Sequence, residues 1–214
     1  MHKFRIDKAR LFIVRHAEAQ KNLEKMHGGG TQDLTERGKI KLGHSILELE
    51  PSIQGRKVFV FHQKEGRSEE TAKIIAKELD LEIKRTKEIY GVGLGIIAGL
   101  NEDELKEQYP EVSAILERWK NDGAKLDDYP DIPGREHMVD FANRIRKGLM
   151  EILKPDTDTI LVGTTSTINM LNHLMEKDGS FVHEDYDFIS FPFSGINGWQ
   201  IYKDKPPKKV FSNF

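Results

Sequence analysis

Apolar positions along the chain follow two rhythms. Three short unbroken runs, LFIV (11–14), VFVF (58–61) and TILV (159–162), suit strands buried on both faces. Elsewhere apolar residues recur three and four apart, the spacing of an amphipathic helix. Ile40, Leu42, Ile46, Leu47 and Leu49 predict one such helix, capped by Asp33 or Thr35 and broken at PSIQGRK. Ala72, Ile75 and Leu79 predict a second in SEETAKIIAKELD, and Phe141, Ile145, Leu149 and Ile152 a third within 136–153. NEDELKEQYPEVSAILERWKND predicts two helices, since Pro110 fits the first turn of the second. Another helix, INMLNHLMEK, follows TILV. FISFPF and GWQIYK predict edge strands, with Pro192 keeping the first from a central place.

A β-α-β-α start of this kind implies an α/β protein: a three-layer αβα sandwich around a mostly parallel sheet. The chain has 214 residues and no internal repeat, low-complexity tract or linker, so one domain over 1–214 is expected.

Composition removes whole classes of chemistry. There is no cysteine, which excludes disulfides, thiolate metal sites and cysteine nucleophiles. The 33 Lys and Arg nearly balance 35 Asp and Glu, so no net field favours nucleic acid or an anionic membrane. The basic start MHKFRIDKARLFIV has too short an apolar stretch for a signal peptide, and no run approaches the roughly 20 apolar residues of a membrane helix. A cytoplasmic protein is the expectation.

In open α/β sheets, ligands bind outside the carboxyl ends of the strands. LFIV ends on Arg15-His16. VFVF ends on His62, with Arg67 five residues on, and TILV ends on Gly163 followed by Thr164, Thr165, Ser166 and Thr167 at a helix start. Each of these has an ordinary reading as a polar loop, an ion pair or a helix cap. Together they gather arginine forks, imidazoles, hydroxyls and free helix N–H groups at one end of the sheet, the composition of a phosphate-ester pocket. The G-x-G-x-x-A of GVGLGIIAG follows no good strand and opens no helix, so it reads as a turn packed close to the sheet. HGGG (27–30) lacks the G-x-S-x-G elbow that acyl hydrolysis needs.

The ordered set of motifs resembles the histidine phosphatase superfamily, with its phosphoglycerate-mutase-like fold. Arg15-His16-Ala17-Glu18 with Asn22 is similar to that family's Arg-His-Gly-Glu and following Asn. Asp33-Leu34-Thr35 with Gly38, Arg67 with Thr71-Ala72, and Gly99-Leu100 before acidic residues also fit. Gly134, Glu136, Asp140 and Arg144 complete the order. The resemblance implies that His16 attacks phosphorus and forms a phosphohistidine, while Arg15, Asn22 and Arg67 bind the phosphoryl oxygens. It implies a carboxylic acid that protonates the leaving oxygen, for which Glu88 is the nearest candidate, and no metal or cofactor. It also implies that specificity comes from a helical insertion, at about 100–135, and from the C-terminal tail. Phe193, Trp199 and Tyr202 there are candidates to line the pocket, although aromatic residues on terminal strands are more often core packing.

Two positions depart from the family pattern. A second histidine belongs after the third strand, where this chain has Thr164, or Thr165 if the turn slips by one; both offer hydroxyls to phosphate. Ala98 stands where many members have a second Glu. The expectation is a phosphomonoesterase for a small phosphorylated substrate, working slowly. A catalytically impaired relative that binds a phosphorylated ligand or partner protein is the alternative, and a mutase ranks third. Oligomeric state is not legible.

Overall fold

The computed structural model describes residues 3–29, 33–121, 131–186 and 189–213. Among them, β1 (Ala9–Arg15), β2 (Val58–His62), β3 (Glu82–Arg85), β4 (Asp158–Gly163), β5 (Ile196–Ile201) and β6 (Lys208–Ser212) form one sheet. Their order is β3-β2-β4-β1-β5-β6. The first four run parallel, and β5 and β6 return antiparallel. Around the sheet lie α1 (Gln20–Leu23), α2 (Glu36–Ile53), α3 (Gly66–Glu78), α4 (Glu102–Gln108), α5 (Pro110–Asn121), α6 (Met138–Ile152) and α7 (Thr165–Glu176). No helix among the described residues is long and apolar enough to cross a membrane.

The unbroken apolar runs fold as two-sided strands because alternate side chains feed opposite layers. Leu11, Ile13 and Leu161 pack with Phe141 and Ile145 of α6 and Leu171 of α7. Phe12, Val14 and Ile160 pack with Leu42 of α2 and Ala72 and Ile75 of α3. The result is the expected α/β sandwich, with α6 and α7 on one face and α2 and α3 on the other. Helices α4 and α5 lie within 100–135, and Leu105, Leu116 and Ile132 of that stretch make a third apolar cluster with Ile97 before it. Residues 122–130 of the expected insertion lie outside the described residues.

Four expectations are corrected. In α2 the buried stripe is Leu42, Ile46, Leu49 and Ile53, whereas Ile40 and Leu47 are more than half exposed on the solvent face. The helix also runs through Pro51 to Ile53, because the donor Pro51 lacks is lost near the helix end, where water replaces it. Of FISFPF, residues 189–193 form no strand: Pro192 has no N–H for a ladder, and its carbonyl accepts the Gly195 N–H in a turn at 3.0 Å. The antiparallel strand starts only at Ile196. Finally, GWQIYK does not form an edge: β5 lies between β1 and β6, and the edges are β3 and β6, whose EIKR and KKVFS are mostly exposed and show no apolar alternation.

The amino end of β4 is anchored by a fully buried carboxylate. Asp158 accepts from Arg10 at Nε, 3.0 Å away, and from Arg56 Nε at 2.9 Å. Removing one partner of a buried pair strands the others, so Asp158→Ala is expected to cost about 3 kcal/mol, checked by urea unfolding. This end of the sheet lies opposite the one where the polar groups converge.

Candidate active site

The carboxyl ends of β1, β2 and β4 open onto a cavity of about 1110 Å3. Arg15, His16, Asn22, Arg67, Thr164 and Thr165 all line it, as do Lys21, Glu65 and Ser166. His62 does not; its buried ring turns back, with Nδ1 2.6 Å from its neighbour's carbonyl at Gln63.

His16 is 2% exposed and held at both nitrogens. Nδ1 lies 2.7 Å from the Ala17 carbonyl, which only accepts, so Nδ1 bears the proton. Nε2 accepts from Arg67 Nε at 3.1 Å. The imidazole is therefore neutral, with its lone pair on Nε2. Burial first and the Arg67 cation second hold its pKa well below the ordinary histidine value.

The motifs around His16 act as its frame. The Ala17 N–H donates to Thr71 Oγ1 at 3.0 Å, and that hydroxyl donates to the Arg67 carbonyl at 2.7 Å. Glu18 points away from the cavity. Its carboxylate accepts from Thr35 Oγ1 at 2.9 Å and from Arg37, whose guanidinium keeps it below the usual carboxylate range. Thr35 caps α2 by accepting the Gly38 N–H at 2.9 Å. A Cβ at Gly38 would stand 2.5 Å from the Glu18 carbonyl, which is why that turn takes glycine. Asn22 lines the cavity while its Oδ1 accepts the Ala19 N–H at 3.0 Å.

Arg15 leans on the C-terminal segment. Its guanidinium lies 3.8 Å over the Phe193 ring and donates to the Phe191 carbonyl. Burial and the nearby Arg67 lower its pKa to about 10, leaving it charged at neutral pH. Of the two readings of Phe193, pocket lining and core packing, the ring takes neither outright: it stacks under a cation that lines the cavity. Trp199 is buried and donates from Nε1 to Asn172 Oδ1 at 3.0 Å.

At the end of β4, Thr164 is the N-cap of α7. Its own N–H is taken by the Gln63 side chain, whose Nε2 also reaches Thr167 Oγ1 at 2.9 Å. Gln63 is fully buried and ties the ends of β2 and β4 together, a role no local pattern announces. The Thr164 hydroxyl lies 3.4 Å from Ser166 Oγ.

Glu88 is not brought to the cavity. It pairs with Lys147 Nζ at 2.7 Å, and that ammonium holds its carboxyl below the usual range, the wrong direction for a proton donor at neutral pH. The carboxylate that does reach the cavity is Glu65, in the loop between β2 and α3. Glu65 Oε1 accepts the Gly91 N–H at 3.4 Å, and Oε2 is buried with no hydrogen-bond partner. Gly91 stands close: a Cβ there would lie 3.2 Å from Thr164 Oγ1 and 3.6 Å from Glu65 Oε1. The loop bearing Gly91 is fixed by Arg144, which stacks 3.4 Å over Tyr90 and donates to the carbonyls of Glu88 and Tyr90 at 2.9 and 3.2 Å. Glu136 holds Arg144 at 2.7 Å, which accounts for that motif.

The GVGLGIIAG stretch makes a 3-10 turn at Gly95–Ile97, where Gly95 takes φ +63° and a Cβ would fall 2.2 Å from the Pro133 carbonyl. The turn packs against the backbone of residues 133–135, not against the sheet as the sequence suggested.

Residues 11–184 match the family model for the histidine phosphatase superfamily (branch 1). Phosphoserine phosphatase 1 of Hydrogenobacter thermophilus is 28% identical over 162 residues, covering 75% of this chain and 72% of that protein. The 6-phosphofructo-2-kinase/fructose-2,6-bisphosphatase 3 of Bos taurus is 21% identical over 188 residues, 87% of this chain but 36% of that protein. Among solved structures, a mycobacterial glucosyl-3-phosphoglycerate phosphatase complexed with VO3 is similar at a TM-score of 0.71 and 17% identity, covering 95% of this chain and 98% of that one. An alpha-ribazole phosphatase from Shigella flexneri gives 0.69 and 18% identity over 96% of both chains.

Proposed function

The chain belongs to the histidine phosphatase superfamily, and from that premise we propose that it is a phosphomonoesterase acting through a phosphohistidine at His16. The observation that supports this most is the neutral His16 ring, with its Nδ1 proton on the Ala17 carbonyl and its Nε2 lone pair beside Arg67 in the cavity. That is the protonation state a nitrogen nucleophile needs.

Arg15 and Arg67 bind the non-bridging oxygens of the entering phosphoryl group and offset charge as it transfers. The hydroxyls of Thr164 and Thr165 and the start of α7 face the same space. As Nε2 forms its bond to phosphorus, the bond to the leaving oxygen breaks and Glu65 gives that oxygen its proton. Water then attacks the phosphohistidine. Glu65 takes the water's proton, inorganic phosphate leaves, and the Nε2 lone pair is restored. The substrate is a small phosphomonoester, the class on which the related phosphatases act, and the cavity volume leaves room for an organic body beside the phosphate.

The test is to react the protein with p-nitrophenyl phosphate, quench it in alkali and map phosphorylated peptides by mass spectrometry. An alkali-stable, acid-labile phosphate on His16 is expected. Thr164 at the usual histidine position favours a second reading, a binding protein for phosphorylated ligands. Tight phosphate binding with neither turnover nor a phosphoenzyme would establish that reading instead.

A further inference from the structure

Lys21 is a lysine buried where lysines seldom are. It sits on the single turn α1, directly after the Arg-His segment, and is 5% exposed. Yet it lines the same cavity as Arg15, His16 and Arg67. An ammonium withdrawn from water is costly unless a partner compensates it. Here its surroundings add to the cost. Arg67 repels it from α3, Arg15, Lys64, Arg85 and Arg135 line the same cavity, and the neighbouring His16 is neutral. The opposing charges near it are Glu65, ahead of α3, and Glu24, at the end of α1 itself. Its pKa falls to about 8, first through burial and then through Arg67. A chain that gathers Arg15, Lys21 and Arg67 beside His16, with Lys64, Arg85 and Arg135 further along the same wall, has built a site that a dianion completes.

We propose that Lys21 is a third phosphate-binding cation, contacting a non-bridging oxygen of the substrate phosphoryl group and supplying the positive charge that Thr164 does not. This rests on the phosphate-pocket reading above and deepens it. The compact, flexible ammonium reaches the phosphoryl oxygens from the α1 side, while the arginine forks approach from β1 and α3. Charge lost at the end of β4 is thereby replaced from a different element.

The probe is phenylphosphonate, a phosphate ester mimic that is not hydrolysed, with binding measured by calorimetry from pH 6.5 to 9.5. Lys21→Met keeps the length and apolar stem of the side chain, and its thermal melting reports whether the fold is intact. The Met variant is expected to bind about 10- to 100-fold more weakly at pH 7, as for loss of a charge-assisted hydrogen bond, and Lys21→Arg to recover most of that loss. Wild-type affinity is expected to fall by up to about tenfold per pH unit above about pH 8, because the complex must then take up a proton at Lys21. The Met variant should lack that dependence. A merely structural lysine would leave it in place. If Lys21→Met binds like wild type while Arg67→Ala does not bind, this inference is overturned and the phosphate pocket stands. If wild type itself fails to bind, both are overturned.

Discussion

His16→Ala is expected to lower kcat for p-nitrophenyl phosphate on the order of 10⁵–10⁶-fold, the scale seen when a covalent nucleophile is removed. The loss should fall on kcat, with phosphate affinity largely kept, since Arg15 and Arg67 remain. No phosphoenzyme should form. Equal turnover by the two proteins would end the covalent reading. The same residue makes a second, independent prediction. The folded state holds His16 neutral well below its ordinary value of 6.5, so as pH falls through 6.5 the unfolded chain takes up a proton that the folded chain refuses. Whatever stability this group contributes is complete above 6.5 and lost as the pH falls below it. Unfolding of His16→Ala, followed by denaturant titration at pH 7 and pH 5, should therefore lose less stability over that interval than wild type. Protonation of His16 should also not limit activity near pH 6.

Glu65→Gln is expected to slow hydrolysis of an alkyl phosphate about 10²–10⁴-fold, the usual effect of a general acid-base group. The isosteric amide keeps the contact to the Gly91 N–H and leaves the fold unchanged. The discriminating observation is the leaving group. p-Nitrophenolate departs without a proton, so with that ester the first step should survive and the second, which needs a base for water, should not. A burst of nitrophenol followed by slow turnover and accumulated phosphohistidine is the expected trace. Glu88→Gln, which loses only its pair with Lys147, should keep wild-type rates. The reverse pattern, a silent Glu65→Gln and an impaired Glu88→Gln, would return the acid role to Glu88.

What could be read from the sequence follows what is local in it. Runs such as LFIV declare two-sided strands, and the strand-end rule then brings Arg15, His16, Arg67 and Thr164 to one place without knowledge of any contact. Glu65 escapes that logic. A glutamate two residues before Arg67 reads as a solvated helix start, and only the approach of Gly91 shows that its carboxylate faces inward. Glu88 is the converse, plausible by position yet drawn off by a lysine 59 residues away. Lys21 reads as an ordinary polar loop residue, because burial is a tertiary property. The edge strands fail for a related reason: their exposed faces carry no periodic apolar signal.

The strand order has a consequence for synthesis. β1 and β2 carry His16 and the approach to Arg67, but they are not neighbours; β4, which comes about a hundred residues later than β2, lies between them. A nascent chain that has emerged only as far as α6 holds the nucleophile and both arginines with no central strand to set their spacing. Its exposed strand edges await a distant partner, the circumstance in which folding is slow and aggregation competes. Insertion of residues 158–163 therefore sets the spacing of β1 and β2, and with it that of His16 and Arg67, before α7 and β5 close the rest of the core. Chains that lack this strand accordingly have nothing to hold His16 beside Arg67.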